Sequence, residues 1–219
     1  MFSGFTNTSI SFLKDLAANN NKEWFEQNRS VYEKHILQPL KELTSELGLV
    51  IKSMDDKIDV TPQINRTISK IFRDTRFSKD KSPFRTDLWI SFKRPVKVWG
   101  NVPEFFFYFT PEKYQSGMGF YVATSENMEK FRENIRMNPD LFKQIIDQYN
   151  SQKFFKLFGE DYKRPLPNQL SEEFQPWYQK KNLYVSSIKK IDKLFFSNRL
   201  EKEIEDAFLF HAGLYRFLI

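Results

Sequence analysis

The sequence contains no cysteine, only seven glycines and only two histidines. The missing cysteine removes disulfides, cysteine-ligated zinc, iron–sulfur clusters and thiol nucleophiles in one step. So little glycine argues against a glycine-rich nucleotide loop as the organising feature. His35 and His211 lack the close spacing of a histidine metal site. They are also the only imidazoles open to a Ser-His-Asp triad, and no Gly-x-Ser-x-Gly elbow occurs. No stretch reaches the ~20 apolar residues that cross a bilayer. Residues 1–20 lack the basic start and long apolar run of a secretory signal. These absences lead us to expect a soluble protein of the cytoplasm, without membrane association, cofactor or metal.

What is present is aromatic and, in one place, basic. Of 219 residues, 40% are apolar and 24 are Phe. A chain of this length buries roughly 70% of its unfolded surface, so a sizeable core is affordable. No repeat, low-complexity linker or composition break divides the chain, and a single domain over 1–219 is expected. The net charge is +6, but residues 66–97 alone carry +7. Its cations are Arg66, Lys70, Arg73, Arg76, Lys79, Lys81, Arg85, Lys93, Arg94 and Lys97; its acids are Asp74, Asp80 and Asp87. A positive field so localised suits an anionic ligand better than a diffuse basic character does.

Hydrophobic spacing predicts a helix over 8–19, capped by Thr8 or Ser9, with Ile10, Leu13 and Leu16 on one face. Asn21 caps a second helix over about 22–53, in which Pro39 should produce a kink or break. Residues 54–65 read as loop. Strands are expected over 67–74, 87–94, 104–110 and 114–124, paired as an antiparallel meander. Helices follow over 126–137, capped by Ser125, and over 139–150. Residues 151–169 read as loop, 171–181 as a short helix, 183–188 as a last strand and 199–217 as a closing helix. The fold class is therefore α+β: a mostly antiparallel sheet from the middle of the chain, flanked by N-terminal and C-terminal helices. Strand order and oligomeric state stay open.

The densest chemistry lies in Lys70–Thr86, KIFRDTRFSKDKSPFRT. Arg73 and Arg76 offer planar forks for carboxylate or phosphate, while Lys79 and Lys81 are point charges. One reading is a salt-bridged loop pinned to the sheet by Phe72, Phe77 and Phe84. The other is a site for a phosphate-bearing or other anionic ligand, nucleic acid included, built from Arg73, Arg76, Lys79, Lys81 and Arg85, with Arg29 contributed by the second helix. Asp74 and Asp80 support it as ion-pair partners. Trp24, Asn28, Tyr32 and His35 recur along one side of that helix. Asn28 and Tyr32 either tie the helix to the basic loop or, with Arg29, wall a shared pocket. Gly117 and Gly119 lie two apart on one strand face, where a ring or ligand can approach the backbone. Two further roles stand beside anion binding. One is a structural or protein-interaction domain whose charged loop organises the fold. The other is a metal-assisted hydrolase using Asp74 and Asp80, although the surrounding positive charge opposes a cation. Lys180, Lys181, Lys189, Lys190 and Lys193, with Tyr178 and Tyr184 interleaved, form a second basic stretch that reads first as a solvated face. No catalytic residue is assigned.

The run Arg73-Asp74-Thr75-Arg76-Phe77-Ser78-Lys79-Asp80-Lys81 resembles the hallmark of DUF2461, a microbial family of unknown function: Arg-x-x-Arg-Asp-x-Arg-Phe-x-x-Asp-Lys-x-x-Tyr. The segment Asn19–Phe25, with Asn28, Arg29 and Tyr32, is also similar to that family. So are Gly117-Met118-Gly119, Lys163-Arg164-Pro165 and Lys181. The resemblance spans nearly the whole chain and implies one unit of this length, but no activity. Two positions depart from the hallmark. Lys70 replaces its first Arg, and Phe84 replaces its Tyr and so lacks the hydroxyl.

Overall fold

The computed structural model describes residues 1–96 and 102–219. Lys97, counted in the basic segment, lies outside them. The fold is α+β. A five-stranded antiparallel sheet of order β1-β2-β3-β5-β4 is drawn from the middle of the chain and flanked by N- and C-terminal helices. Its strands are β1 Leu88–Phe92, β2 Glu104–Phe109, β3 Lys113–Gly119, β4 Lys156–Phe158 and β5 Tyr184–Lys190. Strict alternation makes β2: Phe105, Phe107 and Phe109 are buried, while the residues between them are partly exposed. The meander β1-β2-β3 is as the spacing implies. The three-residue β4 was hidden in a stretch read as loop; it pairs antiparallel with β5, with Phe158 opposite Tyr184.

Helix α1 spans Asn7–Ala18 and is capped by Thr6, earlier than expected. Thr6 Oγ1 accepts the Ser9 N–H at 3.3 Å, and Ser9 Oγ accepts the Thr6 N–H at 3.0 Å. This reciprocal capping box makes Ser9 an inner member and not the cap. Asn21 does cap the next helix, its side chain accepting the Trp24 N–H at 2.9 Å.

The long second helix is in fact four pieces: α2 Lys22–Gln27, α3 Arg29–Tyr32, a π-helical turn Glu33–Leu37 and α4 Gln38–Met54. Asn28 leaves helical geometry at ψ 10°, and Pro39 falls in the first turn of α4. Because the preceding turn is itself helical, proline here has no N–H to give the carbonyl one turn back. The wider turn before it closes with the Gln38 N–H on Glu33 O. His35 O, which an ordinary residue at 39 would have engaged, accepts the Ser9 hydroxyl at 2.7 Å.

Residues 67–74 do not form a strand. They make isolated bridges, Ile68 with Ile90 and Phe72 with Phe84. Ser69 N–H donates to Trp89 O at 3.0 Å and Ser91 N–H to Thr67 O at 2.8 Å, but the pairing does not extend into a ladder. β3 stops at Gly119, short of the expected 124. Thr124, not Ser125, caps α5 (Ser125–Met137), accepting the Asn127 N–H at 3.2 Å. α6 runs Pro139–Asn150. A 3-10 turn, Glu172–Phe174, leads into the short α7, Gln175–Tyr178. The closing helix α8 is Arg199–Leu218, with Ile204, Phe208, Leu214 and Tyr215 buried.

By packing, the chain falls into two compact units. The first comprises Met1–Phe92, Phe106–Gln115 and Lys189–Asp206; the second comprises Lys93–Phe105, Ser116–Ile188 and Ala207–Ile219. The first holds two ring clusters. Phe5 meets Phe2, Phe107, Phe109 and Phe195, and Phe25 meets Phe12, Tyr32, Phe72 and Phe84. In the second, Phe142 meets Phe131, Phe174, Trp177 and Phe217. Arg132 is buried there as a structural cation: it donates to Tyr178 O at 3.0 Å and Lys180 O at 2.7 Å, tying down the segment after α7.

His211 also belongs to the second unit. It is wholly buried, with Nδ1 2.7 Å from the Tyr149 hydroxyl and the Phe155 ring against it. Burial drives its pKa down to about 3. The imidazole therefore stays neutral in the fold while the unfolded chain takes up a proton below about pH 6.5. Stability from this group is complete above that pH and is lost as pH falls toward the folded value. At pH 5 the loss is about 2 kcal/mol. We expect the drop in melting temperature between pH 7 and 5 to be smaller in His211→Gln than in wild type by roughly 4–8 °C. Equal drops in parallel calorimetric scans would contradict this.

Candidate anion site

The basic loop begins and ends on rings. Phe84 is buried and stacks on Phe25 with centroids 4.3 Å apart and planes 21° apart; Phe72 lies 5.0 Å from Phe84 and 5.7 Å from Phe25. Two backbone bonds close the loop base: Arg73 N–H to Pro83 O at 2.8 Å and Arg85 N–H to Ile71 O at 2.9 Å. Asn20 fastens the base to the N-terminal helices. Its Oδ1 accepts the Phe84 N–H at 3.0 Å and its Nδ2 donates to Phe84 O at 2.9 Å. The primary amide thus satisfies both backbone groups of one buried residue, as a neighbouring strand would.

Asn28 and Tyr32 were read as possible ties, but Asn20 makes the connection. Asn28 turns its amide back onto Trp24 O at 2.9 Å, closing its own broken helix. Tyr32 is buried against Phe12 and Phe25, and its hydroxyl has no hydrogen-bond partner among the described residues. Burial first, then the Glu33 charge, push its pKa up to about 12, so it remains a neutral phenol. Trp24 packs on Phe12, and His35 Nδ1 lies 3.4 Å from Thr6 Oγ1. Trp24 and Tyr32 thus share the Phe12 ring of α1.

Above the base the loop clasps itself. Arg76 forks onto Asp74, Nη2 to Oδ2 at 2.6 Å and Nε to Oδ1 at 3.0 Å. Arg73 Nη1 donates to Asp80 Oδ2, and Asp80 Oδ1 also accepts the Ser82 N–H at 2.9 Å. Lys81 Nζ donates to Thr75 O at 2.9 Å. Hydrogen bonds from Arg76 hold the Asp74 pKa down at about 2. Ser82, then Arg73, hold that of Asp80 well below the usual carboxylate range. Both acids are therefore anionic throughout the neutral range and each is committed to an arginine. Among the described residues no group of three or more His, Cys, Asp or Glu converges as metal ligands would.

Three cations differ from the rest. Lys79 is exposed and has no ion-pair partner among the described residues. Arg29 forks onto Glu26 and its guanidinium sits 5.3 Å from the Phe25 centroid; that ring brings it to the loop base. Arg85 is directed to β1, its guanidinium 4.7 Å from the Trp89 centroid and 4.0 Å from Asp87 Oδ2, and its buried Nε has no hydrogen-bond partner among the described residues. Beyond the loop, Arg66 pairs with Asp59 at 2.8 Å and Lys93 with Glu104 at 3.4 Å. In the second basic stretch, Lys180, Lys181 and Lys189 pair with Asp161, Glu160 and Glu203, and Tyr178 is buried. That stretch is mostly neutralised.

Phe77 overturns its reading as a pin. It is 94% exposed at the loop tip, whereas Phe84 is buried and Phe72 is 46% exposed. Sequence reasoning missed it because all three rings look alike in a loop. The available signal was position: Phe77 is midway between two rings that bridge each other, and so farthest from the base.

Gly117 and Gly119 belong to the second unit. Gly119 has φ +145°, and a Cβ there would stand 2.5 Å from Leu183 O and Tyr184 Cα. The glycine admits the start of β5, with no ligand needed to explain it. Gly119→Ala should therefore lower stability, by at least about 1 kcal/mol, read as a reduced urea midpoint; an unchanged midpoint would remove this account.

The charges of the loop contribute little to holding it. Arg76 and Asp74 are 77% and 58% exposed, two residues apart, and such pairs are worth little. Arg76→Ala should melt within about 2 °C of wild type. Asn20→Ala, which orphans both backbone groups of Phe84, should melt about 4–8 °C lower. Calorimetry on the two variants checks the order, and a larger fall for Arg76→Ala would reverse the assignment.

A comparison with curated proteins finds no match. The family described as conserved hypothetical protein (DUF2461) matches residues 8–217, through both compact units and the whole basic loop, and the chain belongs to that family.

Proposed function

We propose that the loop Lys70–Arg85 binds a phosphate-bearing ligand. One observation carries this reading: the loop is fastened by rings and backbone bonds, and its charges are left on the outside. Phe25, Phe84 and Asn20 hold the base. Arg76, Lys79 and Lys81 are exposed, where ion pairs add little to stability. Cations gathered without structural need, on an anchored frame, are suited to partners outside the fold.

The mechanism is electrostatic capture. Asp74 and Asp80 orient the arginine forks in the free protein. An incoming phosphate, richer in charge and acceptor oxygens, engages the outer guanidinium N–H groups, while Lys79 supplies an uncommitted ammonium. Arg73 and Arg76 give direction, and the lysines give field.

Titration with inorganic polyphosphate tests this. Affinity should fall about tenfold or more between about 50 and about 200 mM salt. Arg76→Ala combined with Lys79→Ala should abolish most of that dependence while the melting temperature holds. A flat salt response, or wild-type binding by the double variant, would refute the proposal.

A further inference from the structure

From the exposed ring at the loop tip we infer that the phosphate-bearing ligand is single-stranded nucleic acid, with a base stacked on Phe77. The inference rests on the phosphate-binding reading and adds to it the chemistry of the ligand's other half. Phe77 is 94% exposed, although the two other rings of the same loop pack against Phe25. An aromatic ring held in water at the tip of a fastened loop is a π-face without an internal role. Its immediate neighbours are charged or polar: the Arg76 guanidinium is 5.8 Å from its centroid, and Ser78 and Lys79 follow it. A ring for the base and cations for the flanking phosphates are the two elements by which proteins hold single strands without reading their sequence. Duplex DNA offers its bases only edge-on in the grooves, so a stacking ring favours an unpaired strand.

The same ring on a cationic loop must be weighed against an anionic lipid surface. The tip has one apolar side chain, not several, and Asp74 and Asp80 flank it, both held ionised. Carboxylates beside the ring oppose approach to an anionic bilayer and are costly to desolvate. A flexible strand can meet the ring and the exposed cations without the broad desolvation that a bilayer surface imposes.

The experiment is fluorescence anisotropy with a labelled oligodeoxythymidylate, an abasic strand of equal length and phosphatidylserine vesicles. Each is titrated with wild type, Phe77→Ala and Phe77→Trp. Phe77 is exposed, so both variants should fold, as an unchanged melting temperature would show. We expect wild type to bind the base-bearing strand about fivefold to a hundredfold more tightly than the abasic one. Phe77→Ala should bring the two strands level with the salt dependence intact, and Phe77→Trp should preserve the preference. Equal binding of both strands by wild type, or no effect of Phe77→Ala, overturns the stacking inference; steep salt dependence on the abasic strand would leave the phosphate reading standing. If neither strand binds and polyphosphate does not either, both readings fall. Phe77-dependent binding to vesicles without binding to strands overturns the nucleic-acid assignment in favour of lipid.

Discussion

Phe84 is the residue on which the basic loop depends, through the stack it makes with Phe25 and the two hydrogen bonds it makes with Asn20. A loop of mutually repelling cations tends to spread, and the ion pairs within it are too exposed to prevent that. The buried ring resists by removing apolar surface from water, on the order of 2–3 kcal/mol for a phenylalanine. The Asn20 amide adds to this by pairing an N–H and a C=O that would otherwise be buried unpaired. The base is therefore set by groups that carry no charge, and the exposed ion pairs above it add little to its hold. The hallmark tyrosine, replaced here by Phe84, falls at the most enclosed position of the loop.

The same separation explains why the sheet was legible in the sequence and the loop was not. In β2 the pattern repeats every second residue, so Phe105, Phe107 and Phe109 declare one face. Caps and helix periods likewise placed Asn21, α5, α6 and α8 within a few residues. Residues 67–74 have the composition of a strand but lack an uninterrupted partner, and only isolated bridges result. Pro39 announced an irregularity, but its form, a π turn with the Ser9 hydroxyl supplying the hydrogen bond lost at His35 O, required knowledge of a residue 26 positions away. Nothing local marks the role of Asn20, because its partner, Phe84, is 64 residues distant. Local periodicity encodes elements; long-range polar pairs between irregular segments leave no periodic trace.

Within the candidate site, residue type was legible and role was not. The cations were identifiable from charge, and Arg73, Arg76 and Lys81 do share one loop. Arg85 was grouped with them by proximity in sequence, yet it lies over Trp89 on β1. Arg29 stands over the Phe25 ring, a contact that composition does not reveal. Gly119 drew notice for its missing side chain, and that absence is explained by the adjacent backbone of Leu183 and Tyr184. Phe77 was the reverse case: a pin in the salt-bridged reading of the loop, it stands outside where the chain turns at Thr75–Ser78 and the Ser78 N–H meets Thr75 O at 3.3 Å.

The two acids in the loop give the arrangement its logic. A cluster of free arginines would wave long side chains through solvent and lose that freedom when a ligand arrived. Asp74 and Asp80 limit the motion in advance, and Asp80 also fixes the turn through the Ser82 N–H. The clasp lowers the net field, which weakens a purely electrostatic partner. It preserves geometry, which benefits a partner with planar, directional groups. Lys79 then restores long-range attraction without constraint, and the Phe77 ring supplies a contact that salt does not screen. A loop meant only to attract anions would need neither the acids nor the ring. A loop meant only to stabilise the fold would bury the ring and pair Lys79. The observed combination is accounted for when one ligand brings both phosphate and a flat apolar face.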